Sequence, residues 1–163
     1  MATIAMRPAR FCPLLVLLAS ACSAPSHEAH YFDPKGSAYI SAEFTLEQAD
    51  VVLGAIDAWR EATSGEVDLK PQIGTGSPQV RPAARAERIN GEFIPSESPE
   101  IVLDVDKVSD AGQLRNLTLH ELGHAFGLQH IGHVDSVMFP MATTVQELDH
   151  WTLQAWSERS KAP

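Results

Sequence analysis

The chain has 163 residues, an ordinary apolar share of 44%, 20% charged residues and a formal charge of −9 at pH 7. That length holds one core and one domain, and the composition excludes general disorder. An acidic chain is a poor partner for nucleic acid, and two cysteines supply no disulfide framework to staple a fold.

The first residues read as an export signal. Arg7 and Arg10 precede an apolar run from Phe11 to Ala19, too short to span a bilayer as a helix, and small residues follow. Ala19-Ser20-Ala21-Cys22 resembles a bacterial lipobox, with Ala19 where leucine is usual. In that reading residues 1–21 are removed, Cys12 with them, and Cys22 becomes a lipidated first residue. The alternative is an ordinary signal cut near Ala21 or Ala24. Residues 22–37 are polar, with Pro and Gly, and read as a tether in which His27 and His30 are solvated. Residues 38–163 then form the folded domain, expected as a monomer anchored to the bacterial envelope. Ser23 gives no retention signal, so the outer membrane is expected; secretion or a periplasmic place are the alternatives.

"AYISAEF" (38–44) alternates as a strand does. Thr45 with Gln48 forms a capping-box pattern, and Ala49, Val52, Leu53, Ile56 and Trp59 make one helical stripe that Gly65 ends. "EVDLKPQI" (66–73) reads as a strand and the Gly/Pro-rich stretch 74–82 as a loop. Asn90-Gly91 between short β-like segments signals a hairpin turn. "EIVLDVDKV" (100–108) is the clearest strand, with Ile101, Leu103 and Val105 on one face. A helix begins near Asp110 or Ala111 and turns apolar nearly all round, from Leu117 to Leu128, so it is buried. The order of elements is α+β.

Two histidines and a carboxylate on a buried helix each need a partner, because unpaired burial costs roughly 1–3 kcal/mol or more. In "HELGHAFGLQH", His120 and His124 are four residues apart and share one helical face. Both therefore reach one point, where Zn2+ would sit about 2.0–2.1 Å from each. Glu121, about 100° further round, flanks that point within reach of a zinc-bound water. Gly123 costs about 1 kcal/mol in a helix, so close approach of another backbone is expected there. Gly127 permits the left-handed turn that brings His130 back as third ligand and leaves a fourth position for water.

The stretch resembles the HExxHxxGxxH signature of the metzincin metalloproteases. Met138 in "DSVMFP", with Pro140 two residues on, resembles the methionine turn of the matrixin branch, and "TVQELDHWTLQAW" resembles its last helix, with Thr144 and Glu147 as a capping box. The resemblance implies a zincin-like fold: a small twisted mixed sheet, a long backing helix, an active-site helix and a C-terminal helix after the methionine turn. It implies zinc-dependent cleavage of peptide bonds, Glu121 as general base and Met138 as an apolar floor. It also implies an extended peptide or protein substrate added to a sheet edge, for which 85–94 is the candidate. Matrixin latency comes from a propeptide cysteine on the zinc; no such segment is read here, so control is expected from export, from a partner, or not at all. Only Met141, Ala142 and Thr143 are read between Pro140 and the last helix, so the pocket beyond the cut is expected to be open and unselective.

Two other activities compete: a catalytically silent, zinc-stabilised binding module of the envelope, and a hydrolase of cell-wall peptides. His133 with Asp135 is read as solvated surface and His150 as structural. Calcium at Asp104, Asp106 and Asp110 is possible but lacks a recognisable loop. Asn116-Leu117-Thr118 spells a glycosylation acceptor, set aside because it lies in the buried helix.

Overall fold

Thr45 opens the longest helix. Its hydroxyl accepts from the Gln48 N–H while the Gln48 side chain accepts from the Thr45 N–H, the expected capping box. Helix α1 (Leu46–Ala62) follows. It buries Val52, Ala55, Ile56 and Trp59; of the stripe read from sequence, Ala49 and Leu53 are only half-buried, and Ala55 joins the buried face. Gly65 has a φ of +81°, and its N–H reaches back to the Arg60 carbonyl. The computed structural model describes residues 30–85, 90–141 and 143–161. The export signal, Cys22, His27 and residues 22–29 of the tether lie outside the described residues.

Five short strands form one mixed sheet: β1 (Ser37–Ile40), β2 (Lys70–Ile73), β3 (Gln79–Pro82), β4 (Gly91–Ile94) and β5 (Glu100–Leu103). Their spatial order is β2-β1-β3-β5-β4, all parallel except the antiparallel β4–β5 pair. Helix α1 is the crossover between the parallel β1 and β2. Two further helices complete the fold, α2 (Ala111–Ala125) and α3 (His150–Arg159).

Several sequence expectations change here. The first strand stops at Ile40, because Ser41 to Phe44 bend into the cap of α1. Only the second half of 66–73 pairs as strand; Val67 and Leu69 before it are buried as lead-in. Residues 79–82, expected as loop, form β3 between β1 and β5. A single buried Val80 is the only apolar mark of it, so pairing on both sides, and not composition, makes the strand. Asn90-Gly91 is no hairpin turn: Gly91 begins β4, and the turn into β5 lies at 95–99. Strand β5 ends at Leu103, since Asp104 opens a turn closed by the Lys107 N–H. Val102 is buried like Ile101 and Leu103, flanked in register by the long side chains of Arg81 and Glu92. The last helix is capped by Asp149, not by Thr144 and Glu147.

The core lies between one face of the sheet and the helices. Ala38, Ile40, Val80, Ile101 and Leu103 meet Ile56, Trp59, Leu119 and Leu122. Each such large side chain contributes roughly 1.5–3 kcal/mol on burial. Trp59 is the junction: its ring lies 5.3 Å from Phe126 and 6.2 Å from Trp156, and its indole N–H donates to the Leu119 carbonyl at 3.3 Å. The three helices are thereby joined behind the histidine-bearing end of α2.

Candidate metal centre

Asp110 starts α2 by accepting the Gln113 N–H at 2.9 Å. The helix carries His120 and His124 on one face and stops at Phe126. Gly127 follows with a φ of +88°, and the Leu128 N–H returns to the Gly123 carbonyl at 2.9 Å. This left-handed turn redirects the chain so that His130 faces the helix, as its glycine signalled. The Nε2 atoms of His120 and His130 each lie 3.1 Å from that of His124. Among the described residues these three are the one group of histidines, cysteines or acids gathered tightly enough to hold a metal ion.

Ring orientation tests whether the cluster suits a cation. His120 Nδ1 donates to the Val137 carbonyl at 2.7 Å, and His124 Nδ1 to the Leu128 carbonyl at 2.9 Å. A carbonyl only accepts, so both protons sit on Nδ1 and both Nε2 lone pairs point inwards. Lone pairs crowded at 3.1 Å repel unless a cation lies between them, and zinc takes imidazole nitrogen at about 2.0–2.1 Å. The donor set therefore fits zinc. From the protein's own groups alone, burial holds His120 down to about 4, with the neighbouring His124 adding to the effect; burial also lowers His124 and His130. Neutral imidazoles are the form that binds metal.

Glu121 is 4% exposed, on the side of α2 that meets β4. Burial raises its carboxyl to about 8, opposed by the Phe93 N–H that donates to it and by the charge of Arg85. A Cβ at Gly91 would stand 2.8 Å from Leu117 Cδ1 and 3.1 Å from Glu121 Cγ and Oε1. Strand β4 thus lies directly against the glutamate, and glycine at 91 leaves it room. This places the expected substrate-side segment 85–94 at an edge of the sheet as β4, with 86–89 outside the described residues.

Met138 is fully buried. The backbone expected to approach Gly123 is instead the Met138 side chain, whose sulfur would be 2.3 Å from a Cβ there. Sequence reasoning missed the fastening of this turn. Asp149 caps α3 through the Thr152 N–H and also accepts the Val137 N–H at 2.7 Å. Val137 in turn accepts from His120, so one residue links a carboxylate to a histidine ring. An acidic residue just before the apolar face of the last helix was the available signal.

The segment after Pro140 is longer than expected. Because α3 begins at His150, residues 141–149 separate them, rather than the three residues read from sequence (Ala142 lies outside the described residues). The buried Asn116 amide donates to Thr143 Oγ1 at 3.0 Å and to the Val145 carbonyl, and Arg115 Nε donates to the Gln146 carbonyl at 2.8 Å. These bonds pin the segment along α2.

The remaining polar residues have other roles. His133 stands 3.9 Å from the exposed Asp135 and stacks on Trp151 at 4.5 Å. His150 is exposed at the start of α3, with its ring edge towards Trp151, so it is not a core residue. Asp104 is buried, accepts the Arg85 N–H and faces Lys107 at 3.0 Å, while Asp110 is the α2 cap; both are held below the usual carboxylate range, chiefly by backbone N–H donors.

Comparison with known proteins bears on this arrangement. Residues 22–155 match the family described as Matrixin, of the M10 peptidases. Among solved structures the chain is similar to archaemetzincin from Methanopyrus kandleri, with a TM-score of 0.52 and 13% identity, covering 78% of this chain and 96% of that one. Identity that low speaks for the fold alone, and the fold is metzincin-like. No curated protein matches the chain.

Proposed function

The chain belongs to the matrixin family of peptidases, and on that premise we propose that it is a zinc-dependent endopeptidase, with His120, His124 and His130 as ligands and Glu121 as general base. The observation that carries this reading is the convergence of three Nε2 atoms, with the buried Glu121 next to His120 on the same helix. A bound zinc ion supplies a Lewis acid that polarises the scissile carbonyl and acidifies a water. Glu121, as a carboxylate next to the metal, would accept the proton of the attacking water and return it to the leaving amine. The Nδ1 bonds to Val137 and Leu128 hold two ligand rings in orientation. Met138 packs beneath α2 and moves no proton.

An extended peptide or protein is the substrate class, docking along the free edge of β4. The apolar run and small residues before Cys22 support an exported, lipid-anchored protein, and Ser23 after Cys22 supports the outer membrane.

The test is Glu121→Gln in a fluorogenic-peptide and casein assay with zinc content measured in parallel. Activity is expected to fall by at least ~10²-fold while one zinc per chain is retained. A variant as active as the parent would overturn the assignment. Chelation abolishes turnover and zinc restores it. Purified peptidoglycan as an alternative substrate separates a general endopeptidase from a cell-wall peptide hydrolase.

A further inference from the structure

Most cations among the described residues are neutralised. Arg60, Lys70, Arg81, Arg85 and Lys107 each face a carboxylate. Lys35, Arg159 and Lys161 have no carboxylate partner among the described residues, and all three are exposed around one cavity of about 500 Å³ between residues 31–35 and the end of α3. Its floor is aromatic: Phe32, Phe126 and Trp156 are nearly buried. Tyr31 stands at the rim, with the Arg159 guanidinium 5.8 Å from its ring centroid. The cavity's one carboxylate, Glu66, accepts the Trp156 indole N–H at 2.9 Å. In a chain of formal charge −9, this is a local positive site over an apolar floor.

We propose that this groove takes the phosphate of an anionic phospholipid headgroup, with the glycerol end of the lipid on the aromatic floor. Charge complementarity selects the phosphate, and a volume of this size suits a headgroup-sized ligand. Position selects a lipid over a soluble phosphate. Tyr31 is nine residues after Cys22, so a lipidated Cys22 holds the groove within about 30 Å of the bilayer. The inference rests on the membrane-anchored reading given above. Each cation near an anionic surface contributes a factor of about five in binding, so the three together contribute on the order of a hundred-fold.

The experiment uses residues 22–163 carrying Cys22→Ala, which removes the anchor and tests the groove by itself. Co-sedimentation at low salt is compared on phosphatidylcholine vesicles and on vesicles containing phosphatidylglycerol, with and without inorganic phosphate. Binding to the phosphatidylglycerol vesicles alone is expected, reduced by at least about a hundred-fold by Lys35→Glu/Arg159→Glu/Lys161→Glu, since each reversal removes a positive charge and adds a negative one. Because Arg159 also packs on Tyr31, the double variant Lys35→Glu/Lys161→Glu serves as a second probe, with a loss of at least about thirty-fold. Peptide cleavage in solution stays unchanged in both. Equal binding to both vesicles, no loss on charge reversal, or complete displacement by millimolar phosphate overturns the proposal. Incorporation of labelled fatty acid at Cys22 of the full chain reads the anchor separately, so failure of the anchor and failure of the groove are distinguishable.

Discussion

The sulfur of Met138 occupies the space where a side chain at Gly123 would stand, 2.3 Å from an ideal Cβ, with the Met138 methyl 3.0 Å away. The methionine turn and helix α2 therefore pack closely where Gly123 lacks a side chain, beside the bond from His120 to the Val137 carbonyl. Gly123→Ala gains up to about 1 kcal/mol of helix propensity but overpacks a fully buried contact, which costs about 1–3 kcal/mol. The net expected effect is a fall in thermal midpoint of a few degrees and a weaker hold on zinc. Thermal unfolding with and without zinc checks both; a more stable, fully metal-loaded variant would show that the contact has slack.

Asp149 joins helix α3 to His120 through Val137. Asp149→Ala removes a helix cap worth about 1 kcal/mol and frees the turn that orients the imidazole. Zinc affinity is expected to fall about 10–100-fold, the range for lost outer-shell partners of a metal ligand. Chelator competition measures it. Lowered stability with unchanged affinity would leave Asp149 as a cap only.

Gly91→Ala places a methyl against Leu117 and Glu121 without altering any proposed ligand. The expected result is normal zinc content, a small change in KM and a kcat lowered by about ten-fold or more, since displacing a catalytic group by about 1 Å costs on the order of 10². Steady-state kinetics on one peptide, beside metal analysis, separates this from general damage.

The buried glutamate gives the chelated protein a pH signature. The folded-state pKa of Glu121 is raised, to about 8, so the folded state holds a proton that the unfolded state has lost. Stability from this group is present below the unfolded value and declines as pH rises from about 4.5 to 8. The histidines have the opposite sign: lowered in the folded state, they cost stability as pH falls below about 6.5. Chelated Glu121→Gln should therefore melt higher than the chelated parent at pH 8, with the gap closing towards pH 4.5. Equal melting at both values would contradict the burial argument.

Much of this site was legible because it is local. Helical spacing places His120 and His124, and Gly127 announces the turn before His130; neither depends on distant chain. The capping box at Thr45 and Gln48 is local for the same reason. What escaped is set by contacts across the chain. Strand β3 owes its existence to neighbours on both sides rather than to alternation, and Gly91 looked like a turn residue because its reason is the Glu121 side chain packed on it. The start of α3 was misplaced because Asp149 is held both by its own helix and by Val137, which no periodicity records.

Strand β4 has one more consequence. The Asp104 N–H bonds the Asn90 carbonyl, so in the antiparallel pairing the alternate residues 92 and 94 face β5. Only Gly91 and Phe93 turn their peptide groups outward, and the Phe93 N–H is engaged by Glu121. A visiting backbone finds few rungs to climb onto, and one of them is shared with the proton acceptor. If a peptide pairs along this edge as proposed, its main chain meets one donor already held by Glu121.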